Sequence, residues 1–408
     1  MSYRLPGVVQ PDDRPGPPPG PGFSLGSLWY DEAVRGVAIQ ILVLAGVFAT
    51  VAWMIANVVA NFAILDKTFG FDFLRLPANY DINQTLIEYT NRDTHLRAAV
   101  VGLINTGLVA FLGIILATVL GFLVGIFRLS ENWLVSRLAY CYVEFTRNTP
   151  VLLLILLWHG IFINTLPHPR QAMTIGGATF LTNRGFYVPK PLFESGFEWV
   201  ALALAAAIVG AVLVHRYVRR VREATGRQLP GAWISAALIV GLPGLTFAAV
   251  GASLSFDVPE LQGFNFRGGL YLTPELVALT WALAFYTSGF IAENVRAGIL
   301  AVDKGQIEAS QALGLPRRRV LRLVILPQSL RVIVPPLTSQ YLDLTKNSSL
   351  AIAIGYVDLV GTLGGITLNQ TGREIECMML VMLVYLAISL GISVFMNWYN
   401  RRVRLVER

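Results

Sequence analysis

Charge is scarce in this sequence. Charged residues make up 14% of the 408 residues, whereas hydrophobic residues make up 54%. A soluble domain carries about 25% charged residues, so this chain has too few to cover a water-facing surface. The mean hydropathy of +0.58 agrees. The composition excludes a soluble globular protein and predicts an all-α polytopic membrane protein.

The residues and motifs of common catalytic sites are also missing. The two cysteines, Cys141 and Cys377, lie in or beside apolar segments and support neither a disulfide framework nor a thiolate metal site. The four histidines are scattered, without metal-ligand spacing. No G-x-x-x-x-G-K-[ST] loop is present to hold ATP phosphates, and no G-x-S-x-G nucleophile elbow. We expect no metal, no bound cofactor and no catalytic residue, so the chain is not predicted to be an enzyme.

Apolar runs dominate what is present. A membrane-spanning helix needs about 20 apolar residues, and eight runs qualify. They are 37–62, 97–127, 136–165, 199–216, 232–254, 272–298, 331–355 and 375–397. Pro150 divides the third run into 136–149, expected at the membrane interface, and a deeper 150–165. The seventh run is expected to break at Asp343, Lys346 and Asn347.

The positions of lysine and arginine predict the orientation. Alternate loops carry 21 and nine of these residues, and the richer side is the cytoplasm. Both termini are then cytoplasmic, with residues 1–36 forming a Pro/Gly-rich tail that lacks a cleavable signal peptide. Residues 63–96 form a periplasmic loop. The net charge of +7 thus reflects membrane orientation and not nucleic-acid binding.

The most informative loop joins the sixth and seventh runs and reads AVDKGQIEASQALGLPRRRVLRLVILPQSL. A short helix from Gln306 to Leu313 is predicted to end at Gly314, which tolerates a left-handed backbone. Pro316 would open a second helix and Pro327 would stop it, with both helices parallel to the membrane. Small side chains would let another protein approach closely. The alternative is a basic amphipathic connector held at lipid headgroups.

Within this loop, Glu308-Ala309-Ser310 is followed by Gly314 and then by Leu326-Pro327. This spacing resembles the EAA motif of ATP-binding-cassette (ABC) importer permeases. The stretches TRNTPVLLLILLWHG and LPQSLRVIVPPLTSQYLDLTKNSSLAIAIG are similar to the polar amino-acid subfamily. The extra first run and the inserted pair of runs resemble its long general L-amino-acid group.

The resemblance implies a five-helix permease core, formed by residues 97–165 and 262–408. To it are added the N-terminal helix 37–62 and a helical hairpin within the insertion 166–261. The loop 303–328 would be the coupling loop that docks on an ATPase. The residues implied in that contact are Glu308, Ala309, Ser310, Ala312, Leu313, Gly314 and Leu315.

The same resemblance implies the partners and the location. These are a second homologous permease, two ATPase subunits that use ATP and Mg, and a periplasmic binding protein that delivers an L-amino acid. The chain would lie among the lipids of a bacterial inner membrane. A secondary transporter or channel without ATP is the alternative, and inverted repeats with matching broken helices would favour it.

Ionisable residues inside the apolar runs are costly there and often functional. Glu293 and Arg296 lie three residues apart on one helix face, and so do Asp343 and Lys346. Each pair either neutralises itself or forms part of a polar lining for a zwitterionic substrate. The candidate substrate pathway comprises Glu293, Asn294, Thr338, Gln340, Asp343, Lys346 and Asn347.

Gly121 and Gly125 form a G-x-x-x-G, which predicts close helix packing.

The orientation can be tested with single cysteines placed at Asn183 and Thr225 in a chain that lacks Cys141 and Cys377. An impermeant thiol reagent added to intact cells should label the first position, which is predicted to be periplasmic, and spare the second. Strong labelling at Thr225 with none at Asn183 would contradict the predicted topology.

Overall fold

Long apolar helices account for most of the chain, as the apolar runs predict. The computed structural model describes residues 32–64, 68–227 and 229–403. Among these residues, seven helices are long and apolar enough to span a membrane, and a bent helix pair raises the number to eight. The all-α membrane class is therefore confirmed. Most of the predicted N-terminal tail, residues 1–31, lies outside the described residues.

The helices are numbered here in chain order. They are α1 (Glu32–Ile64), α2 (His95–Arg128), α3 (Trp133–Asn148), α4 (Val151–Thr165), α5 (Phe197–Thr225), α6 (Gly231–Val250), α7 (Pro274–Leu300), α8 (Lys304–Ala312), α9 (Arg317–Val320), α10 (Leu326–Asn347), α11 (Leu368–Thr371) and α12 (Glu374–Val403). Short 3₁₀ turns occupy Asp72–Arg75, Pro169–Gln171 and Ser348–Ile354. Wider π turns occupy Leu321–Ile325 and Val360–Thr367. The chain divides into one unit that ends at Gly70 and contains α1, and a second that begins at Phe71.

Helix starts follow ordinary capping chemistry. The Thr94 hydroxyl accepts a hydrogen bond from the Arg97 N–H at the start of α2. The Asn132 side chain accepts from the Leu134 N–H and begins α3. The Thr273 hydroxyl accepts from the Leu276 N–H, with proline at the first position of α7. Each cap satisfies a backbone donor that the helix leaves free.

Helix α7 forms the centre of the second unit. It packs against α2, α4 and α10, and its side chains Leu279, Leu283 and Ile291 are fully buried. The two glycines of α2 allow the closest approach. A Cβ at Gly121 would lie 2.5 Å from the Cβ of Ile291, and one at Gly125 would lie 2.8 Å from the Ala292 carbonyl oxygen. The predicted close packing at the G-x-x-x-G is confirmed.

The third predicted span is two helices. Helices α3 and α4 meet at an angle of 111° on either side of Thr149 and Pro150. Proline disfavours helical backbone in the residue before it, and Thr149 is extended, with φ −102° and ψ 131°. The interruption expected at Pro150 is therefore a sharp bend.

The prediction for Pro327 is wrong, and the break predicted in the seventh span lies only at Asn347. Pro327 does not stop a helix, because it sits in the first turn of α10, where a missing N–H costs little. The π turn joins α9 to α10, and the Leu326 N–H bonds to the Leu321 carbonyl. The segment Arg317–Ile354 is thus one continuous candidate span, and the helix predicted after Pro316 is not a separate element. The helix also continues past Asp343 and Lys346, and changes to a 3₁₀ turn only after Asn347.

Short strands, which the sequence analysis did not predict, lie between α4 and α5 and between α6 and α7. They are β1 (Met173–Ile175), β2 (Thr179–Thr182), β3 (Gly185–Val188), β4 (Lys190–Phe193), β5 (Leu254–Asp257), β6 (Glu260–Gln262), β7 (Asn265–Arg267) and β8 (Leu270–Leu272). The antiparallel sheets have the orders β1-β2-β3-β8, β4-β5 and β6-β7. Register pairs include Tyr187 with Tyr271 and Phe193 with Leu254. Strand β8 leads directly into α7.

The α2–α7 contact predicts the effect of adding side-chain volume. Gly121→Val should lower the free energy of unfolding by about 1–3 kcal/mol, because overpacking forces a backbone shift. Gly107→Val is the matched control, since that glycine is on the same helix and no atom lies within 4 Å of its Cβ position. Thermal unfolding of the purified complex measures both variants. Equal melting temperatures for the two variants would contradict the contact.

Candidate functional site

The predicted EAA-like loop is a well-capped short helix. Asp303 begins α8 by accepting a hydrogen bond from the Gly305 N–H at 2.7 Å. At its end, the Gly314 N–H donates to the Gln311 carbonyl at 2.8 Å and the Leu315 N–H donates to the Ser310 carbonyl at 3.2 Å. Gly314 has φ +70°. These are the two bonds of a Schellman ending, so the left-handed backbone predicted at Gly314 is present.

One side of α8 is exposed within the described part of the chain. Leu313 is 81% exposed, which is unusual for a leucine beside a packed core. Glu308, Ala309, Ala312 and Gly314 are exposed as well. Ser310 is buried, with its hydroxyl donating to the Ile307 carbonyl at 2.7 Å, and Leu315 is half-buried. The helix therefore exposes one leucine amid small residues.

The first predicted ion pair has a third member. Arg296 Nη2 lies 2.6 Å from Glu293 Oε1, as the spacing predicts. Arg128, the last residue of α2, also bonds to the Glu293 carboxylate. Glu293 thus connects α7 to the end of α2 while both its oxygens are occupied. The Arg128 contact spans 165 residues of sequence, so local spacing could not reveal it.

The second predicted pair behaves differently. Asp343 and Lys346 are both exposed and form no ion pair with each other or with any other residue in the described part of the chain. Ser339, Asp343 and Lys346 follow each other at spacings of four and three residues and so share one face of α10. This polar face of α10, defined by these three residues, is exposed within the described part of the chain.

The other candidate pathway residues flank this face. Gln340 and Asn347 are half-buried. The Thr338 hydroxyl and the Asn294 side-chain nitrogen are buried and have no hydrogen-bond partner among the described residues. Buried polar atoms usually have partners, so these two are available to a ligand or to ordered water.

Sequence analysis missed a buried carboxylate. Asp358 is fully buried, and accepts hydrogen bonds from the Gly361 N–H at 2.8 Å and the Tyr385 hydroxyl at 3.1 Å. It begins the π turn Val360–Thr367 and connects that turn to α12. Its position just before a glycine-rich apolar stretch was the sequence feature that could have indicated it.

Within residues 32–64, 68–227 and 229–403, no three His, Cys, Asp or Glu side chains group as metal ligands would.

Comparison with known proteins adds independent findings. Residues 264–405 match the family described as "Binding-protein-dependent transport system inner membrane component". The chain is 47% identical over 389 residues to the general L-amino acid transport system permease protein AapQ of Rhizobium johnstonii, covering 95% of this chain and 97% of that one. It is 51% identical over 385 residues to the putative amino-acid ABC transporter permease protein YhdX of Escherichia coli, covering 94% and 98%.

A third relative agrees. The chain is 47% identical over 422 residues to the glutamate/glutamine/aspartate/asparagine transport system permease protein BztB of Rhodobacter capsulatus. That match covers 96% of this chain and 99% of the relative. All three matches extend over nearly the full length of both partners, so they include the N-terminal helix and the inserted hairpin.

The contrast between the two ion pairs predicts different roles. Glu293→Gln should lower the free energy of unfolding by about 1.5–3 kcal/mol, since hydrogen bonds to charged groups are lost and two arginines keep no counter-charge. Asp343→Asn should leave the free energy of unfolding unchanged, because Asp343 forms no ion pair among the described residues. Thermal unfolding of the purified complex compares them. Equal destabilisation by both variants would contradict this division.

Proposed function

Because the chain belongs to the family of amino-acid ABC transporter permeases, as its EAA-like loop indicated, we propose that it forms part of a path for L-amino acids across the inner membrane. Permeases of this family are transport subunits and not enzymes. Import is driven by two separate ATPase subunits that use ATP and Mg. The exposed side of α8, with Leu313 at its end, is the observation that best supports this function.

Helix α8 is the proposed coupling helix. It inserts the exposed Leu313 into a groove on an ATPase, with Ala309 and Ala312 allowing the close approach. The Schellman ending at Gly314 sets the angle at which the chain leaves the contact. The segment after Pro316 is continuous with α10, so a displacement of α8 passes directly to the helix that carries the polar face.

The polar face of α10 is the proposed substrate path. A lone charge at the bilayer centre costs at least about 2.5–3.5 kcal/mol, so Asp343 and Lys346 do not face lipid. A second, homologous permease covers this face and leaves a polar passage between the two subunits. The unpaired charges of Asp343 and Lys346 then offer one partner each to the ammonium and carboxylate of an amino acid. Glu293, already held by two arginines, serves the scaffold.

The orientation follows from the coupling role. Helix α8 and both termini lie in the cytoplasm, whereas the strands β1 to β8 lie in the periplasm, where a binding protein delivers the amino acid. The alternative, a carrier that works without ATP, has no ATPase that would bind the exposed side of α8. It predicts that changes in α8 leave uptake intact.

The coupling role predicts the effect of Gly314→Asp. Amino-acid uptake by the reconstituted complex should fall about 100-fold, because a carboxylate left unpaired in a protein contact costs about 3 kcal/mol. Gly226→Asp is the matched control. Its glycine has φ +71° against +70° at Gly314, and neither has an atom within 4 Å of its Cβ position. Equal uptake by the two variants, with the complex assembled in both, would contradict the coupling assignment.

The path predicts the effect of Asp343→Asn and Asn347→Ala on uptake. Each should reduce uptake or change the preference among acidic, neutral and basic amino acids, with about a tenfold loss for Asp343→Asn, since a charge-assisted hydrogen bond contributes about 1.5–3 kcal/mol. Asp81→Asn, an exposed aspartate in the loop before α2, is the control. If both α10 variants show unchanged uptake and unchanged substrate preference, the proposed substrate path along α10 is contradicted.

A further inference from the structure

A deep groove lies at the end of the helical core that carries α8. It encloses about 840 Å³ between the last turns of α2 and α7, the α2–α3 connection and the segment from α9 into α10. Most residues that line it are apolar, among them Ile126, Phe127, Leu321 and Ile325. Three arginines, Arg317, Arg318 and Arg322, also line it.

The inner part of the groove is apolar and its opening is polar. Along α2 it extends from Phe122 to Leu129, which is about 10 Å at the rise of an α-helix. The polar residues Ser130, Glu131 and Asn132 follow where the chain leaves the helix. An occupant must therefore be amphiphilic, with its apolar part reaching about 10 Å into the span and its polar part at the membrane surface.

The charge at the mouth selects an anionic occupant. Arg317 pairs with Glu131 at 3.3 Å, and both side chains are more than 80% exposed, so this ion pair is weak. Arg318 and Arg322 form no ion pair in the described part of the chain. They lie four residues apart on one helical face, and the mouth therefore keeps an excess of positive charge.

We propose that this groove binds one anionic phospholipid, with its phosphate between Arg318 and Arg322 and its acyl chains along Ile126 and Leu321. Basic pockets between membrane helices on the cytoplasmic side suit such headgroups. The cytoplasmic assignment rests on the proposed coupling role of α8. The lipid contacts the segment that joins α8 to α10, so its binding stabilises one position of that connection.

Two protein occupants fit less well. An ATPase subunit is soluble and does not reach 10 Å into the span. The second permease covers the polar face of α10, where Ser339 and Asp343 are exposed. The groove is lined instead by the buried Ser329 and Ile333, which lie on another face of the helix. The groove therefore stays open to lipid when the second permease is in place.

Native mass spectrometry of the complete purified transporter tests the site after delipidation and titration with phosphatidylglycerol or phosphatidylcholine. The wild-type complex should bind phosphatidylglycerol on this chain in preference to phosphatidylcholine. The double variant Arg318→Gln/Arg322→Gln should weaken that binding about 30-fold, since each arginine near an anionic headgroup contributes about fivefold. Inorganic phosphate at equal concentration should not displace the lipid.

Two further variants serve as controls. Arg220→Gln/Arg222→Gln removes two arginines from the exposed end of α5, outside the groove, and should leave binding unchanged. Leu321→Trp keeps every arginine but fills the apolar part, and should weaken lipid binding at least tenfold while the ATPase subunits stay bound.

The proposal is overturned if phosphatidylglycerol and phosphatidylcholine bind equally, if inorganic phosphate displaces the lipid, or if the α5 double variant loses as much binding as the groove variant. It is also overturned if Leu321→Trp retains full lipid binding, or if the groove variant loses only its ATPase subunits. Lipid binding is measured on the purified complex without ATP or substrate, so the result does not depend on which side of the membrane the groove faces. It therefore fails or holds independently of the uptake result for Gly314→Asp.

Discussion

The close contact between α2 and α7 is the constraint on which the rest of the second unit depends. Lipid tails are as apolar as leucine side chains, so membrane helices associate through tight packing and polar contacts, not through the hydrophobic effect. Gly121 and Gly125 allow that packing, and the bond from Arg128 to Glu293 fixes its register at the end of α2. Helices α4 and α10 then pack on α7, which places the polar face of α10 on the outside.

Under the proposed function, the same arrangement lets one chain contact a soluble ATPase and line a path across the membrane. Helix α8 is a short, exposed element with rigid caps at both ends. The π turn lets Pro327 sit inside a continuous span, so α9 and α10 form one mechanical element. Under the proposed function, movement of α8 changes the position of Asp343 and Lys346 without an intervening flexible loop.

Features set by local chemistry could be predicted from the sequence. Run length defines the spans, the conformational freedom of glycine places the end of α8, and Gly121 and Gly125 indicate packing. Features set by distant contacts could not. The third member of the Glu293 ion pair comes from another helix. Pro327 is accommodated within a continuous helix by a π turn, which no local sequence pattern indicates. The strands are three or four residues long, too short for an alternating pattern to stand out.

Under the proposed function, the polar face of α10 lines a water-filled passage and does not face lipid. Ser339 lies on that face and is exposed, so a single cysteine there reports its surroundings in the assembled transporter. The measurement is the rate of reaction of Ser339→Cys with a small water-soluble thiol reagent and with a lipid-soluble one, with and without ATP, in a chain lacking Cys141 and Cys377. If the polar face lines the passage, the water-soluble reagent should label rapidly, at a rate that changes when ATP binds. Labelling by the lipid-soluble reagent alone, at a rate that ATP does not change, would contradict it.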